Sequence, residues 1–219
     1  MTNKTRIRLL AVLAAIFMIT SPMAGVAGAS VVDDGGTSHA AQMADPSGVI
    51  YRANAGGSFT EDGNEWDPLT NHLVAGGQET ASHGQPSSSD SSVPDGTPDQ
   101  IWETERWDPS SGDEMQYEFA VPDGQQVEIR LYFYDGCTCT STEGDRVFDV
   151  SVEDQTVLDD FDIIETHGDQ TGAMESFTVV SDGTIDIDFG HVTENPQINA
   201  IEIVSAEPQP DPLGGPGST

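Results

Sequence analysis

The sequence predicts an all-β protein built as an antiparallel β-sandwich. Three observations lead to this prediction. Apolar and polar residues alternate in short stretches, Asp-Gly turns separate several of those stretches, and no stretch has a convincing helical period. The alternating region lies between residues 49 and 205, a length that suits one sandwich domain.

Alternation marks strands mainly in the second half of the chain. These strands are predicted at Tyr117–Val121, Val127–Phe133, Phe148–Val152, Phe177–Val179, Ile185–Phe189 and Ile201–Ile203. The first two are separated by a Pro-Asp-Gly turn at 122–124, so we expect them to form a β-hairpin. The turn at 153–155 leads from the Phe148 strand into a further strand at 156–158. The region Ser58–Gln100 does not alternate and is rich in Gly, Ser and Pro, which is typical of a long functional or disordered loop.

The first 29 residues have the features of a secretory signal peptide. Lys4, Arg6 and Arg8 precede an apolar run at 9–20, and small residues follow at 27–29. The run is too short for a comfortable membrane span, and no later stretch is apolar enough to form one. We therefore expect a secreted or cell-surface protein without membrane insertion.

Two polar segments flank the predicted domain. Residues 30–48 are rich in small and polar residues and are expected to be flexible. Residues 206–219 are rich in Pro and Gly, which is a linker composition. The predicted order is therefore signal peptide (1–29), flexible segment (30–48), β-sandwich (49–205) and tail (206–219).

The chain is strongly acidic. Its net charge is −31, and removing the three cations of the signal peptide gives −31 − 3 = −34. No lysine remains after that removal, and the remaining cations are Arg52, Arg106, Arg130 and Arg146. Such a chain repels itself at low salt, while multimolar salt screens the repulsion, so the composition indicates a hypersaline medium. Nucleic acid is excluded as a partner because binding it requires a cationic surface.

Cys137 and Cys139 are the only cysteines. Secretion would permit oxidation. A local disulfide or free thiols in a loop, an intermolecular pairing, and a metal site are all compatible with the Cys-Thr-Cys spacing. The metal alternative lacks two further ligands nearby in sequence. The sequence contains no EF-hand loop, and we predict no metal site and no cofactor.

Several blocks of the chain resemble the malectin and malectin-like domains. They occur in the order found in that family and span nearly all of the predicted domain. The blocks are Ala53-Asn54-Ala55-Gly56-Gly57, Asp67-Pro68-Leu69, Thr104-Glu105-Arg106-Trp107, Asp145 to Val150, Val157 to Ile163, and Asn195 to Ile203. The resemblance implies a jelly-roll-like β-sandwich, in agreement with the strand pattern.

The resemblance also implies a carbohydrate-binding cleft formed by loops at one end of the sandwich. In the family, aromatic side chains stack on a glucose-type disaccharide, and an acid near the last strand accepts hydrogen bonds. The matching positions are Trp107 for an aromatic and Glu194 for the acid. His83 replaces a second aromatic. The family's aromatic pair falls near Cys137 and is absent, with Tyr134 or Asp135 as the candidate substitutes.

Other readings of the same residues remain open. Trp107 could be a core residue, and Glu194 could be one more solvated acid. Trp66 and Trp102 are predicted to pack inside the protein, and Arg146 to pair with nearby acids.

Three functions follow from these readings. The first is a non-catalytic module that binds a glucose-type oligosaccharide or polysaccharide, with a larger surface or enzyme assembly as a further candidate partner. The second is a structural surface or matrix sandwich that binds no sugar. The third is a glycosidase using two carboxylates such as Asp135 and Glu194.

Overall fold

Two mainly antiparallel sheets enclose the main hydrophobic core. The computed structural model describes residues 48–77 and 79–206, which lie in one compact unit. The predicted signal peptide, nearly all of the predicted flexible segment and most of the predicted tail therefore lie outside the described residues. No helix in the described ranges has the length and apolar character needed to span a membrane.

The chain forms many short strands and a few helical turns. The strands are β1 (Val49–Asn54), β2 (Phe59–Glu61), β3 (Asn64–Pro68), β4 (Leu73–Ala75), β5 (Glu79–Ala81), β6 (Ser88–Ser89), β7 (Glu105–Trp107), β8 (Gln116–Ala120), β9 (Gln126–Phe133), β10 (Val147–Val152), β11 (Gln155–Phe161), β12 (Thr171–Val180), β13 (Thr184–Thr193), β14 (Gln197–Ile198) and β15 (Ala200–Ser205). The helical elements are α1 (Ile163–His167) and two 3-10 turns, Leu69–Asn71 and Asp99–Trp102.

The strands form three sheets. The seven-stranded sheet has the order β2-β3-β1-β15-β9-β12-β6, and the five-stranded sheet has the order β11-β10-β13-β8-β4. A three-stranded sheet, β14-β7-β5, adjoins the edge where β9 ends and β15 begins. We call it the end sheet, and we call this edge of the sandwich the loop end. Most pairings are antiparallel, while β1–β3 and β6–β12 are short parallel pairings.

The core forms because alternate residues of facing strands point inward. On β9 the inward residues are Val127, Ile129, Leu131 and Phe133, all fully buried. Phe148 of β10 lies across from them, with its ring centroid 5.9 Å from that of Phe133 and 5.5 Å from that of Phe161. The predicted all-β sandwich is therefore confirmed.

The predicted hairpin between Tyr117–Val121 and Val127–Phe133 is wrong. β8 belongs to the five-stranded sheet and β9 to the seven-stranded sheet, so the connection crosses the sandwich. β12 and β13 are joined by a second crossing at Ser181, and the two crossings are linked by bonds from Gly124 N to Ser181 O (2.8 Å) and from Ser181 N to Gln125 O (3.0 Å). Alternation located these strands without identifying their partners.

The region Ser58–Gln100, predicted as a long loop, contains short strands and a 3-10 turn. Together with the turn that ends at Trp102, it covers part of the outer face of the seven-stranded sheet. A second buried cluster lies beneath this cover and includes Trp66, Trp102 and Tyr132. Trp66 and Trp102 are 2% and 3% exposed, which confirms the prediction that both pack inside the protein.

Candidate functional site

The end sheet sets the geometry of the candidate site. Its central strand, β7, pairs Trp107 with Gln197 on one side and with Glu79 on the other. Because side chains alternate along a strand, Glu105 and Trp107 share one face of this sheet and Arg106 lies on the other. Directly paired residues such as Trp107 and Gln197 share a face as well.

Arg106 anchors the inner face of the end sheet to the sandwich. Its guanidinium is buried and donates to Gly77 O (2.9 Å) and to Ala55 O (3.3 Å). Ile198, paired with Arg106, is part of the main core. The inner face therefore fixes the end sheet to the sandwich, and Glu105, Trp107 and Gln197 lie on its opposite face.

Gln197 leaves hydrogen-bonding capacity unused on the Trp107 face. Its side chain is fully buried, and its amide Nε2 donates to Tyr134 O at 3.0 Å. Its Oε1 has no hydrogen-bond partner within the described ranges. A buried acceptor without a donor is costly, and this oxygen keeps the capacity to accept a hydrogen bond.

Glu105 is a buried carboxyl group two residues before Trp107. The residue is 4% exposed, and its Oε1 lies 3.3 Å from His83 Nε2. Burial raises the pKa of Glu105 to about 7, against the opposing attraction of Arg146 and with a further rise from the negative charge of Asp135. Burial therefore favours the protonated form of Glu105 over the charged one.

Asp135 and Arg146 form a buried ion pair beside Glu105. Arg146 Nε donates to Asp135 Oδ2 at 2.8 Å, and Thr140 Oγ1 lies 3.0 and 2.9 Å from the two carboxylate oxygens. Arg146 Nη1 also donates to Asn195 O at 2.6 Å. Arg146 thus ties the loop after β9 to the loop before β14, in the structural role predicted for it.

The two cysteines lie in the loop that Asp135 organises. Cys137 and Cys139 form a disulfide, and Cys137 N donates to Asp135 Oδ1 at 3.1 Å. Of the alternatives that the spacing left open, the local disulfide is the one present. The loop is therefore closed both covalently and by hydrogen bonds.

The side chains of Tyr134 and His83 both lie close to Gly136. A Cβ at position 136 would lie 2.5 Å from His83 Cβ and 2.8 Å from the Tyr134 ring, so only glycine permits this approach. Tyr134 is buried, and its hydroxyl lies 2.9 Å from Gln170 Oε1. Burial raises the pKa of Tyr134, so the hydroxyl keeps its proton.

Glu194 is exposed, as is His83 among the other predicted residues. It adopts a φ of +60°, a left-handed conformation that is uncommon outside glycine. Its Oε1 accepts a hydrogen bond from Asn195 Nδ2 at 2.9 Å. The turn that follows brings Pro196 O within 3.1 Å of Asp108 N, next to Trp107.

The structure thus places all five predicted residues at the loop end. Trp107 is half-buried on the end sheet, and His83, Tyr134 and Asp135 gather around Gly136 and Glu105. Glu194 lies on the neighbouring loop. Sequence reasoning missed Glu105 and Gln197 as site residues. The signal for Glu105 was its two-residue spacing from Trp107 in a strand, whereas Gln197 is joined to Trp107 only by long-range pairing.

One group of side chains on the described part of the chain has metal-ligand geometry. Oxygen or nitrogen atoms of Asp108, Glu114 and His191 lie within 4.8 Å of one another. The oxygens of Asp108 already accept backbone N–H groups from Gly77 (2.8 Å) and Met115 (2.9 Å). His191 Nδ1 lies 2.7 Å from Glu114 Oε2. Hydrogen bonding within the fold therefore accounts for this group.

A sequence comparison decides the family. The Malectin domain model matches residues 49–207, which is more than half of the chain. The chain belongs to the malectin domain family. No curated protein sequence matches it.

Solved structures share the fold of this malectin domain. The ANXUR1 extracellular domain from Arabidopsis thaliana superimposes with a TM-score of 0.62 at 17% identity, covering 72% of this chain and 48% of that one. The structure of plant peptide RALF23 in complex with FER and LLG2 gives 0.57 at 18% identity, with the same coverages of 72% and 48%. This chain therefore spans about half the length of the plant chains.

A bacterial enzyme contains a similar region. Bacteroides uniformis beta-glucuronidase superimposes with a TM-score of 0.53 at 20% identity, covering 72% of this chain and 18% of that chain. At such identities the similarity establishes the fold.

Proposed function

We propose that this malectin domain is a secreted, non-catalytic module that binds a glucose-type oligosaccharide or polysaccharide at the loop end. One observation carries the proposal: the half-buried Trp107 shares a face with the carboxyl group of Glu105 and with the unpaired acceptor of Gln197. A flat apolar ring beside fixed hydrogen-bonding groups is what a sugar ring requires, since its C–H groups stack and its hydroxyls need partners.

Each residue has a role in this proposal. Trp107 stacks on the sugar ring, while Glu105 and Glu194 accept hydrogen bonds from hydroxyls, each worth about 1.5–3 kcal/mol for a charged acceptor. His83 lies beside Glu105, with its Nε2 3.3 Å from Glu105 Oε1, at the border of the proposed binding face. Tyr134 is buried and hydrogen-bonded, so it positions Gln197 rather than the ligand.

The surroundings of Asp135 support a binding role over a catalytic one. Both of its oxygens are engaged by Arg146 and Thr140. A glycosidase needs two carboxyl groups that face the scissile bond. Asp135 is not available as the second of these, so in this proposal it positions Arg146 and the disulfide loop.

The test is a glycan-binding screen of the chain without its signal peptide, in multimolar potassium chloride. We expect Trp107→Ala to weaken binding by tenfold or more, since stacking of one buried aromatic contributes about 1.5–3 kcal/mol. Trp107→Phe keeps an aromatic ring and should retain most of the affinity.

A second pair of variants tests the carboxylate at the rim. Glu194→Gln should weaken binding about threefold to tenfold. The control Asp123→Asn makes the same charge change at an exposed residue in the crossing after β8 and should have no effect. Equal binding by wild type and Trp107→Ala, with the fold intact by circular dichroism, would reject the proposal. The structural alternative would gain support if no glycan bound at all.

A further inference from the structure

A groove on the outer face of the seven-stranded sheet lies apart from the loop-end site. Its floor is a row of three charged residues on adjacent strands, because β15 places Glu202 opposite Arg52 of β1 and opposite Arg130 of β9. Glu202 Oε1 lies 3.3 Å from Arg52 Nε, and Glu202 Oε2 lies 3.5 Å from Arg130 Nη1. Two of the four arginines outside the predicted signal peptide thus converge on one buried carboxylate.

The walls of the groove are formed by the segment between residues 58 and 100, which covers part of the outer face of the sheet. The β2–β3 hairpin forms one side and the turn at 94–98 forms the other, and together they enclose about 210 Å³. Trp66 and Tyr132 are the aromatic residues of the lining. The Tyr132 hydroxyl donates to Glu202 Oε2 at 2.7 Å, which fixes both groups.

A second, independent observation points to a ligand. Trp66 lines the groove and is 2% exposed, and its indole Nε1 has no hydrogen-bond partner among residues 48–77 and 79–206. Buried indole N–H groups are usually paired. This donor belongs to a wall that already presents guanidinium donors and carboxylate acceptors.

The charge of the groove narrows the class of ligand. Its lining holds Arg52 and Arg130 against four acids, Glu61, Asp62, Asp95 and Glu202, so its formal charge is 2 − 4 = −2. An anion would be repelled by that rim. The only metal-ligand group found on the described residues is the one at His191, away from this groove.

We propose that the groove is a second saccharide-binding site, which holds one neutral sugar residue. A sugar ring offers hydroxyls that both donate and accept, and it fits a small polar pocket with an aromatic wall. Arg130 retains donor capacity for it, because a guanidinium has five N–H groups. One on Nε and one on Nη2 bond Glu128, and Nη1 faces Glu202. The proposal is independent of the loop-end site, since the two share no residue.

The test uses a chain in which the loop-end site is disabled. In the Trp107→Ala variant, D-glucose is titrated in multimolar potassium chloride while the fluorescence of the remaining tryptophans is followed. Trp66 lies in the groove wall, so we expect a saturable change. Adding Asn64→Ala and Asp95→Asn at the rim should weaken the apparent affinity about tenfold. Asp123→Asn, which removes an equivalent exposed charge elsewhere, should leave it unchanged.

Three results would overturn the groove proposal: no saturable change with D-glucose, a change that the rim variants leave intact, or tighter binding of D-glucuronate than of D-glucose. Rim variants are used because Arg130→Gln would leave Glu202 less well paired and risks unfolding. Circular dichroism of each variant confirms the fold.

The outcomes also separate the two sites. If only the loop-end proposal is wrong, the Trp107→Ala variant binds D-glucose as tightly as wild type does. Adding the rim substitutions Asn64→Ala and Asp95→Asn then weakens that binding. If only the groove fails, Trp107→Ala abolishes all binding.

Discussion

The main core and the loop end are buried to similar depth but are built from opposite kinds of side chain. Phe133 and Phe148 in the core are fully buried and contact other rings. At the loop end the buried residues include the charged Glu105, Asp135 and Arg146, at 4%, 2% and 6% exposure. Apolar burial stabilises the fold, whereas burying charged groups costs several kcal/mol per ion and is offset only by good pairing.

The difference shows that stability does not explain the loop end. A sandwich of this size could close its end with apolar residues, and replacing a buried ion pair by apolar residues is often neutral or stabilising. Of these polar residues, Glu105 shares a strand face with the half-buried Trp107, which agrees with the binding role proposed above.

The largest expected effect is the loss of stability when the ion pair between Arg146 and Asp135 is broken. Arg146→Met should destabilise the fold by about 3–5 kcal/mol, because it leaves Asp135 charged and buried without its partner. Chemical denaturation measures the change. The double variant Arg146→Met/Asp135→Leu should recover most of it, and a double variant as unstable as the single one would mean that the pair itself stabilises the fold.

A smaller effect is expected at the margin of the core. His167 lies between Asp90 (Nδ1 to Oδ2, 2.8 Å) and Glu175 (Nε2 to Oε1, 3.1 Å), and these acids, Glu175 first, raise the pKa of His167 against the opposing effect of burial. A raised histidine pKa gives stability that is complete below the unfolded-state value near 6.5 and is lost as the pH rises through the folded-state value.

His167→Asn should therefore cost about 1 kcal/mol at pH 6 and less at pH 9. Thermal denaturation across this pH range measures the difference. A loss of equal size at both pH values would show that His167 contributes by packing alone, for example against the Phe161 ring, whose centroid is 6.1 Å away.

The sequence predicted strands better than strand partners. The turn at Glu153 and Asp154 has two residues with positive φ (52° and 60°), which suits a tight hairpin, and β10 does pair with β11. The connection from Ala120 to Gln126 is longer and can cross the roughly 10 Å between packed sheets. Alternation is the same in both cases, so it could not separate a hairpin from a crossing.

Because alternation does not identify long-range pairing and needs several residues, the sequence also failed to predict the short strands of residues 58–100 and the position of Gln197. The strands between Ser58 and Gln100 have two to five residues, too few to show a period. At the site, the residues quoted from the family resemblance do reach one end of the sandwich. Gln197 could not be found in that way, because its proximity to Trp107 depends on pairing between segments about ninety residues apart.

The proposal that the loop end binds glycan is tested most directly by measuring the stability and the glycan affinity of Glu105→Gln together. The folded-state pKa of Glu105, about 7, lies above its ordinary value of 4.5. Wild-type stability should therefore fall as the pH rises from about 4.5 through about 7, since the folded form holds the extra proton.

At pH 8 the account predicts that Glu105→Gln raises the free energy of unfolding, by roughly 3 kcal/mol at most. It also predicts that the same substitution weakens glycan binding by about tenfold, which corresponds to about 1.4 kcal/mol. A variant that is less stable than wild type and binds glycan equally well would contradict the account, because Glu105 would then serve the fold and not the ligand.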